Sequence, residues 1–127
     1  MEAQVRRADP AAEYWFVEGC HILELLNDPA DPALSVARAR VPAGGRTRWH
    51  RLAGTAERYL VLEGRGEVEV GELPAQAVGP GDLVLIPPGV RQRIANPGPE
   101  DLVFLALCTP RFEAGNYQDI DDADTVP

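Results

Sequence analysis

Two side chains that could perform acid–base or metal chemistry lie seven residues apart near the middle of the chain. They are His50 and Glu57, and the segment around them, residues 44–64, is rich in arginine and ends in an apolar, strand-like run. Imidazole and carboxylate groups transfer protons near neutral pH and are also common ligands of divalent metals. The segment is therefore a candidate metal or ligand site.

Several other chemistries are excluded by residues that the sequence lacks. All twelve basic residues are arginine, which excludes a lysine general base or Schiff base. Ser35 is the only serine and does not lie in a Gly-x-Ser-x-Gly motif, so serine-hydrolase chemistry is disfavoured. The only histidines are His21 and His50, and a metal site built from three histidines of one chain is impossible.

Charge and cysteine content narrow the partners and the compartment. A net charge of −8 over 127 residues repels nucleic acids and anionic membranes. No apolar run approaches the roughly 20 residues that cross a bilayer, and the N-terminus lacks a signal-peptide core, so we predict a cytoplasmic protein. Cys20 and Cys108 show no Cys-x-x-Cys spacing, which favours two free thiols over a disulfide or a thiolate ligand.

Short apolar runs between glycine and proline clusters predict the elements that must position His50 and Glu57. Such runs occupy most of the chain from residue 14 to residue 108, and no helical pattern exceeds about two turns. We expect residues 57–70 to form a hairpin that turns at Gly64–Gly66, and residues 83–86 to form a buried strand. The pattern predicts an all-β sandwich or closed barrel with few or no helices.

Two spaced motifs in the chain resemble those of the cupin superfamily. The first is glycine, five residues, His-x-His, three or four residues, glutamate, six residues and glycine; it falls on Gly44, His50, Glu57 and Gly64. The second is glycine, five residues, Pro-x-Gly, two residues, histidine, three residues and asparagine; it falls on Gly81, Pro87, Gly89 and Asn96. The chain thus resembles a small single-domain cupin of the cupin 2 conserved-barrel type.

The resemblance implies a fold and a division of the chain. The expected fold is the cupin barrel, an antiparallel double-stranded β-helix or jelly roll of six to eight strands. We expect an N-terminal arm at residues 1–13, the barrel at residues 14–112, and a C-terminal flap with an acidic tail at residues 113–127.

The chain departs from the cupin pattern at two metal-ligand positions. Leu52 stands where the first motif has its second histidine, and Gln92 stands where the second motif has its histidine. The resemblance then implies an incomplete site made of His50, Glu57 and Gln92, in which a divalent ion such as Mn, Fe, Ni or Zn is weakly held or absent. Under the alternative, the metal has been lost and His50 and Glu57 form a hydrogen-bonded pair that lines an empty pocket.

Strand alternation suggests which residues would contact a substrate. Arg48 shares a face with His50 and Tyr59 shares one with Glu57, so we expect Arg48, Tyr59 and Gln92 to bind the substrate. Arg48 would suit a carboxylate or phosphate group. Alternatively, Arg48 belongs to a solvated rim.

Three functional interpretations stay open at this point. The first is a metal-assisted isomerase, lyase or oxygenase that acts on a small polar or acidic metabolite. The second is a non-catalytic small-molecule binder or sensor with a degenerate, metal-free pocket, and the third is a mainly structural barrel. In each case the resemblance implies a homodimer, and residues 14–17 form a segment that the two chains could exchange. Neither nucleic acid nor a membrane is an expected partner.

Overall fold

Two antiparallel β-sheets face each other across one core in the computed structural model, which describes residues 1–121. The strands are β1 (Tyr14–Phe16), β2 (Cys20–Leu26), β3 (Ser35–Val41), β4 (His50–Leu52), β5 (Ala56–Glu63), β6 (Gly66–Val70), β7 (Gln76–Val78), β8 (Leu83–Ile86), β9 (Gln92–Ala95), β10 (Leu102–Thr109) and β11 (Tyr117–Asp119). One sheet has the order β1-β2-β3-β10-β5-β8 and the other β11-β4-β9-β6-β7. This is the predicted all-β double-stranded β-helix, and the prediction is confirmed.

Only short 3-10 helices interrupt the strands in residues 1–121. The first, Pro10–Ala12, begins where Asp9 accepts a hydrogen bond from the Ala11 amide, as the sequence Asp-Pro predicts. The second, Ala114–Asn116, precedes β11. No helix in the described part of the chain is long and apolar enough to span a membrane.

The predicted hairpin over residues 57–70 is wrong, although both of its strands exist. β5 pairs with β10 and β8 in the six-stranded sheet, whereas β6 pairs with β7 and β9 in the other sheet. Gly64 makes this crossing possible, since its φ is +78° and a Cβ there would collide with the carbonyl oxygen of Asp101. The short glycine-rich connection therefore carries the chain between sheets and does not fold it back on itself.

The strand at residues 83–86 is confirmed, but it is buried on one face only. Val84 and Ile86 are buried, whereas Leu83 and Leu85 are 61% and 67% exposed. β8 is an edge strand of the six-stranded sheet, and no described element covers its outer face. An unbroken apolar run gave no sign of this difference between the two faces.

The core fills one end of the space between the sheets and leaves the other end open. On β3, β5 and β10 the residues toward one end, Val41, Val61 and Phe104 among them, pack in the core. Residues farther along the same strands, such as Glu57 and Cys108, line a cavity. The position of a residue along its strand therefore decides whether it can meet a ligand.

The C-terminal segment closes on the second sheet. β11 pairs with β4, and the amide of Ile120 donates to the carbonyl of Trp49 at 3.0 Å. The predicted flap thus includes an edge strand, and Tyr117 from this strand reaches the cavity. Asp122 and Asp124 of the predicted acidic tail lie outside the described residues.

Candidate functional site

A cavity of about 80 Å³ opens between the sheets at the end that the core leaves free. Glu18, His50, Glu57 and Cys108 bring polar groups to it. Aromatic and aliphatic side chains form much of the remaining wall, among them Tyr14, Phe16, Ile22, Leu26, Leu52, Phe112 and Tyr117. Such a combination of an apolar wall and a few convergent polar groups is typical of a small-molecule site.

His50 is buried, and both of its ring nitrogens face acceptors. Nδ1 lies 2.7 Å from the backbone carbonyl oxygen of Arg48, which can only accept, so Nδ1 carries a proton. Nε2 lies 2.8 Å from Oε1 of Glu18. Burial lowers the pKa of His50, but the Glu18 carboxylate outweighs burial and the pKa rises to about 9. At neutral pH the two side chains form an imidazolium–carboxylate pair.

Glu18 is the functional residue that the sequence analysis missed. It lies in the turn between β1 and β2 and belongs to neither motif. A glutamate in a turn is usually solvated, so the sequence did not mark it as a site residue. Gly19 lets this turn approach β4, since its φ is +111° and a Cβ would lie 2.7 Å from the carbonyl oxygen of Arg46. The Arg48 amide donates to the Glu18 carbonyl at 2.7 Å, which fixes the turn beside His50. The glycine that directly follows Glu18 could have indicated a close approach of the backbone to another strand, but it does not identify His50 as the partner of Glu18.

Glu57 places a second carboxylate at the cavity, from β5. Its Oε2 accepts a hydrogen bond from the Cys108 thiol at 3.7 Å. Its buried Oε1 makes no hydrogen bond of good geometry among the described residues, although the Gln92 amide is close enough to lower the pKa of Glu57. Burial, and then repulsion from Glu18, raise the pKa of Glu57 to about 7, and attraction to His50 opposes this rise. Glu57 therefore exchanges its proton near neutral pH.

The two cysteines are free thiols, as the sequence favoured, and each lies against one of the cavity carboxylates. Cys20 donates to Oε2 of Glu18 at 3.2 Å, and Cys108 donates to Glu57 as described above. Burial raises the pKa of both thiols, so both stay protonated and act as donors. The carboxylates are thus oriented by neutral groups that leave their negative charge in place.

Tyr59 and Gln92 lie together behind the cavity and do not line it. The Tyr59 hydroxyl donates to Oε1 of Gln92, and both side chains are buried. Gln92 is directly opposite His50 across β4 and β9, and Tyr59 stacks at a tilt on Phe104 with centroids 4.4 Å apart. Tyr59 shares the inward face with Glu57 as predicted, but it lies one inward position deeper, where the core replaces the cavity.

Arg48 does not lie among the residues that line the cavity. Its Nε donates to Asp119 at 2.7 Å, and its NH1 lies 3.7 Å from Asp121, so the side chain joins the C-terminal segment to the barrel. The strand-alternation argument failed here because β4 begins only at His50 and the preceding residues do not alternate as a strand. The solvated-rim alternative describes this side chain better, since it is 36% exposed.

The residues present do not fit a metal ion in the arrangement that the structure shows. Within residues 1–121, no three His, Cys, Asp or Glu side chains are grouped so that they could hold one. Both nitrogens of His50 are engaged, Oε1 of Gln92 accepts from Tyr59, and Leu52 offers no donor. The expected site at His50, Glu57 and Gln92 stays a prediction for metal analysis, although divalent metals are common among related proteins.

Comparison with known proteins gives a consistent family assignment. The family described as "Cupin domain" matches residues 37–108. An uncharacterised protein of Methanocaldococcus jannaschii is 32% identical over 106 residues, which are 82% of this chain and 84% of that protein.

Solved structures with the same fold carry different activities in their descriptions. A predicted oxalate decarboxylase from Thermotoga maritima has a TM-score of 0.75 at 24% identity, covering 84% of this chain and 99% of the other. Pac13 from Streptomyces, described as a nucleoside dehydratase, has a TM-score of 0.74 at 16% identity, covering 93% and 92%. At these identities the likeness concerns the fold alone, and the reaction must be argued from the site.

Proposed function

The chain belongs to the cupin family, and we propose that its cavity binds a small molecule and transfers protons to and from it, as an isomerase or a lyase does. One observation carries this proposal: Glu57, whose Oε1 makes no hydrogen bond of good geometry among the described residues, lines the same cavity as the Glu18–His50 pair. One group can accept a proton near neutral pH while the other holds one to donate. Among the described residues that line this cavity, no other pair joins an imidazole to a carboxylate.

The proposed step uses the two groups on one ligand. Oε1 of Glu57 removes a proton from a carbon next to a carbonyl, the C–H electrons form a carbon–carbon double bond, and the carbonyl electrons move to its oxygen. The proton that Nε2 of His50 shares with Oε1 of Glu18 moves to that oxygen, while the bond from Nδ1 to the Arg48 carbonyl keeps the imidazole oriented. Return of a proton at another carbon completes an isomerisation. In a dehydration, the hydroxyl on the next carbon leaves as water with the proton that Glu57 holds, and the enol oxygen returns its proton to His50.

Exchange with deuterated water tests this step without knowledge of the natural substrate. We would incubate the protein in D₂O with a panel of small ketones and hydroxy ketones and follow loss of the α-proton signal by NMR. We expect exchange in the wild type and at least tenfold slower exchange in Glu57→Gln and His50→Gln. Glu67→Gln is the matched control, because Glu67 lies exposed on β6 and its substitution removes the same charge.

The same assay separates the alternatives. Ligand binding without exchange in any compound would contradict proton transfer and support the non-catalytic binder. Exchange that a chelator abolishes and added Mn restores would instead support the metal-assisted interpretation. Metal analysis of protein purified without chelator, repeated for His50→Ala and Glu57→Ala, completes this comparison, since a metal held at the predicted site must fall with both substitutions.

We also propose that the chain forms a homodimer. The outer face of the six-stranded sheet supports this, because Leu62, Leu83 and Leu85 on its β5 and β8 strands are 41%, 61% and 67% exposed. An apolar patch of neighbouring leucines on a sheet favours burial against another surface. Light scattering should give twice the mass of the chain, and Leu83→Glu with Leu85→Glu should halve it; a monomeric wild type would refute the proposal. Exchange of residues 14–17 between the two chains stays a prediction; within one chain, β1 pairs with β2.

A further inference from the structure

The charges around the cavity are of one sign except for a single imidazole. Three carboxylates line it, those of Glu18, Glu24 and Glu57, and among the described residues no arginine lines it. The positive charge of His50 is already paired with Glu18 at 2.8 Å. An anionic ligand would therefore enter a partly buried space beside carboxylates without a free cation to meet it.

The closed end of the cavity offers acceptors. Glu57 lines the cavity, and its buried Oε1 makes no hydrogen bond of good geometry within residues 1–121, although the Gln92 amide is close enough to lower the pKa of this carboxyl. The buried hydroxyl of Tyr117, which can donate or accept, also makes no hydrogen bond within these residues. A buried carboxylate oxygen without a donor is costly, and a ligand that brings an N–H or O–H group removes that cost. The Glu57 carboxylate thus favours a ligand group that donates a hydrogen bond, whereas the Tyr117 hydroxyl can match a donor or an acceptor.

Aromatic side chains line the rest of the cavity. Tyr117 stacks on His50 with centroids 5.3 Å apart and an interplanar angle of 20°, and it meets Phe16 edge-on with centroids also 5.3 Å apart. Tyr14 and Phe112 complete this set of rings. Flat apolar walls of this kind favour a planar or ring-shaped ligand body.

From these three observations we propose that the cavity selects a neutral or cationic ligand with an apolar, ring-like body and a hydrogen-bond-donating head group, and that it rejects carboxylates. The proposal rests on the proposed function, because it names the ligand class of the same cavity. It replaces the acidic metabolite that the sequence suggested, since Arg48, the residue expected to bind an acid, is bound to Asp119 outside the cavity. The head group would donate to Glu57 while the ring lies among the aromatic side chains.

Three probes with one ring and different head groups test the selection. Benzylamine, benzamide and benzoate differ chiefly in a charge of +1, 0 or −1, and their binding can be compared by calorimetry at pH 7. We expect benzylamine to bind most tightly, benzamide next, and benzoate at least tenfold more weakly than benzylamine. In Glu57→Gln we expect benzylamine to lose at least tenfold in affinity while benzamide changes by less than about threefold.

Glu67→Gln is again the control and should leave all three affinities unchanged. If benzoate binds as tightly as benzylamine, or if none of the three probes binds, the inference is overturned. A loss of benzylamine affinity that is equal in Glu57→Gln and Glu67→Gln would also overturn it, because net charge alone would then explain the preference. These outcomes are independent of the deuterium-exchange assay. The binding comparison can therefore refute the proposed ligand class while the exchange assay supports proton transfer, and the exchange assay can refute proton transfer while the binding comparison supports the ligand class.

Discussion

Two hydrogen-bonded pairs stand next to each other in this barrel, and they differ in what they can do. The His50–Glu18 pair lines the cavity and carries both charges, whereas the Tyr59–Gln92 pair is neutral and lies in the core behind it. One member of each pair is a motif residue: His50 belongs to the first motif and Gln92 to the second. The first motif thus places polar side chains at the cavity, whereas the ligand position of the second motif, Gln92, lies behind it in this structure.

The largest expected difference between the pairs is in how stability depends on pH. The folded-state pKa of His50 is about 9 against 6.5 when unfolded, so its stabilisation is complete below pH 6.5 and is lost as pH rises to 9. Glu57, at about 7 against 4.5, loses its contribution between pH 4.5 and 7. Each shift corresponds to roughly 3 kcal/mol. Denaturation at several pH values should show stability falling from pH 5 to pH 9.

Two substitutions assign these pH windows to their residues. His50→Gln should flatten the curve between pH 6.5 and 9 and, because it removes the attraction that lowers the pKa of Glu57, should also move the Glu57 window to higher pH. Glu57→Gln should flatten the curve chiefly between pH 4.5 and 7. Tyr59→Phe is the matched control from the neutral pair and should keep both slopes. A wild-type curve that is level from pH 5 to pH 9 would contradict the charged pair.

Removing one partner of the charged pair has the next largest expected effect. In Glu18→Gln the carboxylate that raises the pKa of His50 most is gone, while burial still lowers it and the Arg48 carbonyl and Glu57 still raise it, so the pKa of His50 should fall from about 9. The NMR titration of the His50 ring protons measures this shift directly. We expect a loss of roughly 2 kcal/mol of stability at pH 7 and almost none at pH 10.

Glu24→Gln controls for the general loss of a carboxylate at the cavity, because Glu24 lines it without bonding to His50. If Glu18→Gln and Glu24→Gln shift the pKa of His50 equally, then the pair does not set that value.

Breaking the neutral pair should cost less, and the cost should not change with pH. Tyr59→Phe removes the donor to Oε1 of Gln92 and leaves a buried amide oxygen with an unmet hydrogen bond. A cost of roughly 1 to 2 kcal/mol follows. Urea denaturation at pH 5 and pH 8 should give the same loss at both, and ligand affinity should change little because Tyr59 lies outside the cavity lining. A loss of stability that differs between the two pH values would show that the Tyr59–Gln92 pair is energetically coupled to the His50–Glu18 pair.

The sequence predicted the frame better than the chemistry, and particular residues show why. Motif spacing indicated His50 and Glu57, and both line the cavity, because alternation along a strand is a local property; their role as metal ligands stays a prediction. Glu18 was missed, since it reaches His50 through a turn whose approach depends on Gly19 and the backbone of Arg46 and Arg48.

Three other predictions failed or shifted for a similar reason. The depth of Tyr59 depends on where the core ends and the cavity begins, which no single strand encodes. The side chain of Arg48 turns to Asp119, 71 residues away in sequence. Leu83 and Leu85 are exposed because β8 is an edge strand, and strand order is set by pairing across the whole sheet.

The smallest effect concerns the thiol that orients Glu57. Cys108→Ala removes a donor to the carboxylate, so the pKa of Glu57 should rise slightly and the pH window of its contribution should move up with it. The stability change from the lost sulfur contact should be less than about 1 kcal/mol. Cys108→Ser keeps a donor of similar size and should leave that window in place, which distinguishes hydrogen bonding from packing. If both substitutions move the window equally, the thiol acts by filling space and not by donating a hydrogen bond to Glu57. The position of the Glu57 side chain would then be set by the surrounding strands alone.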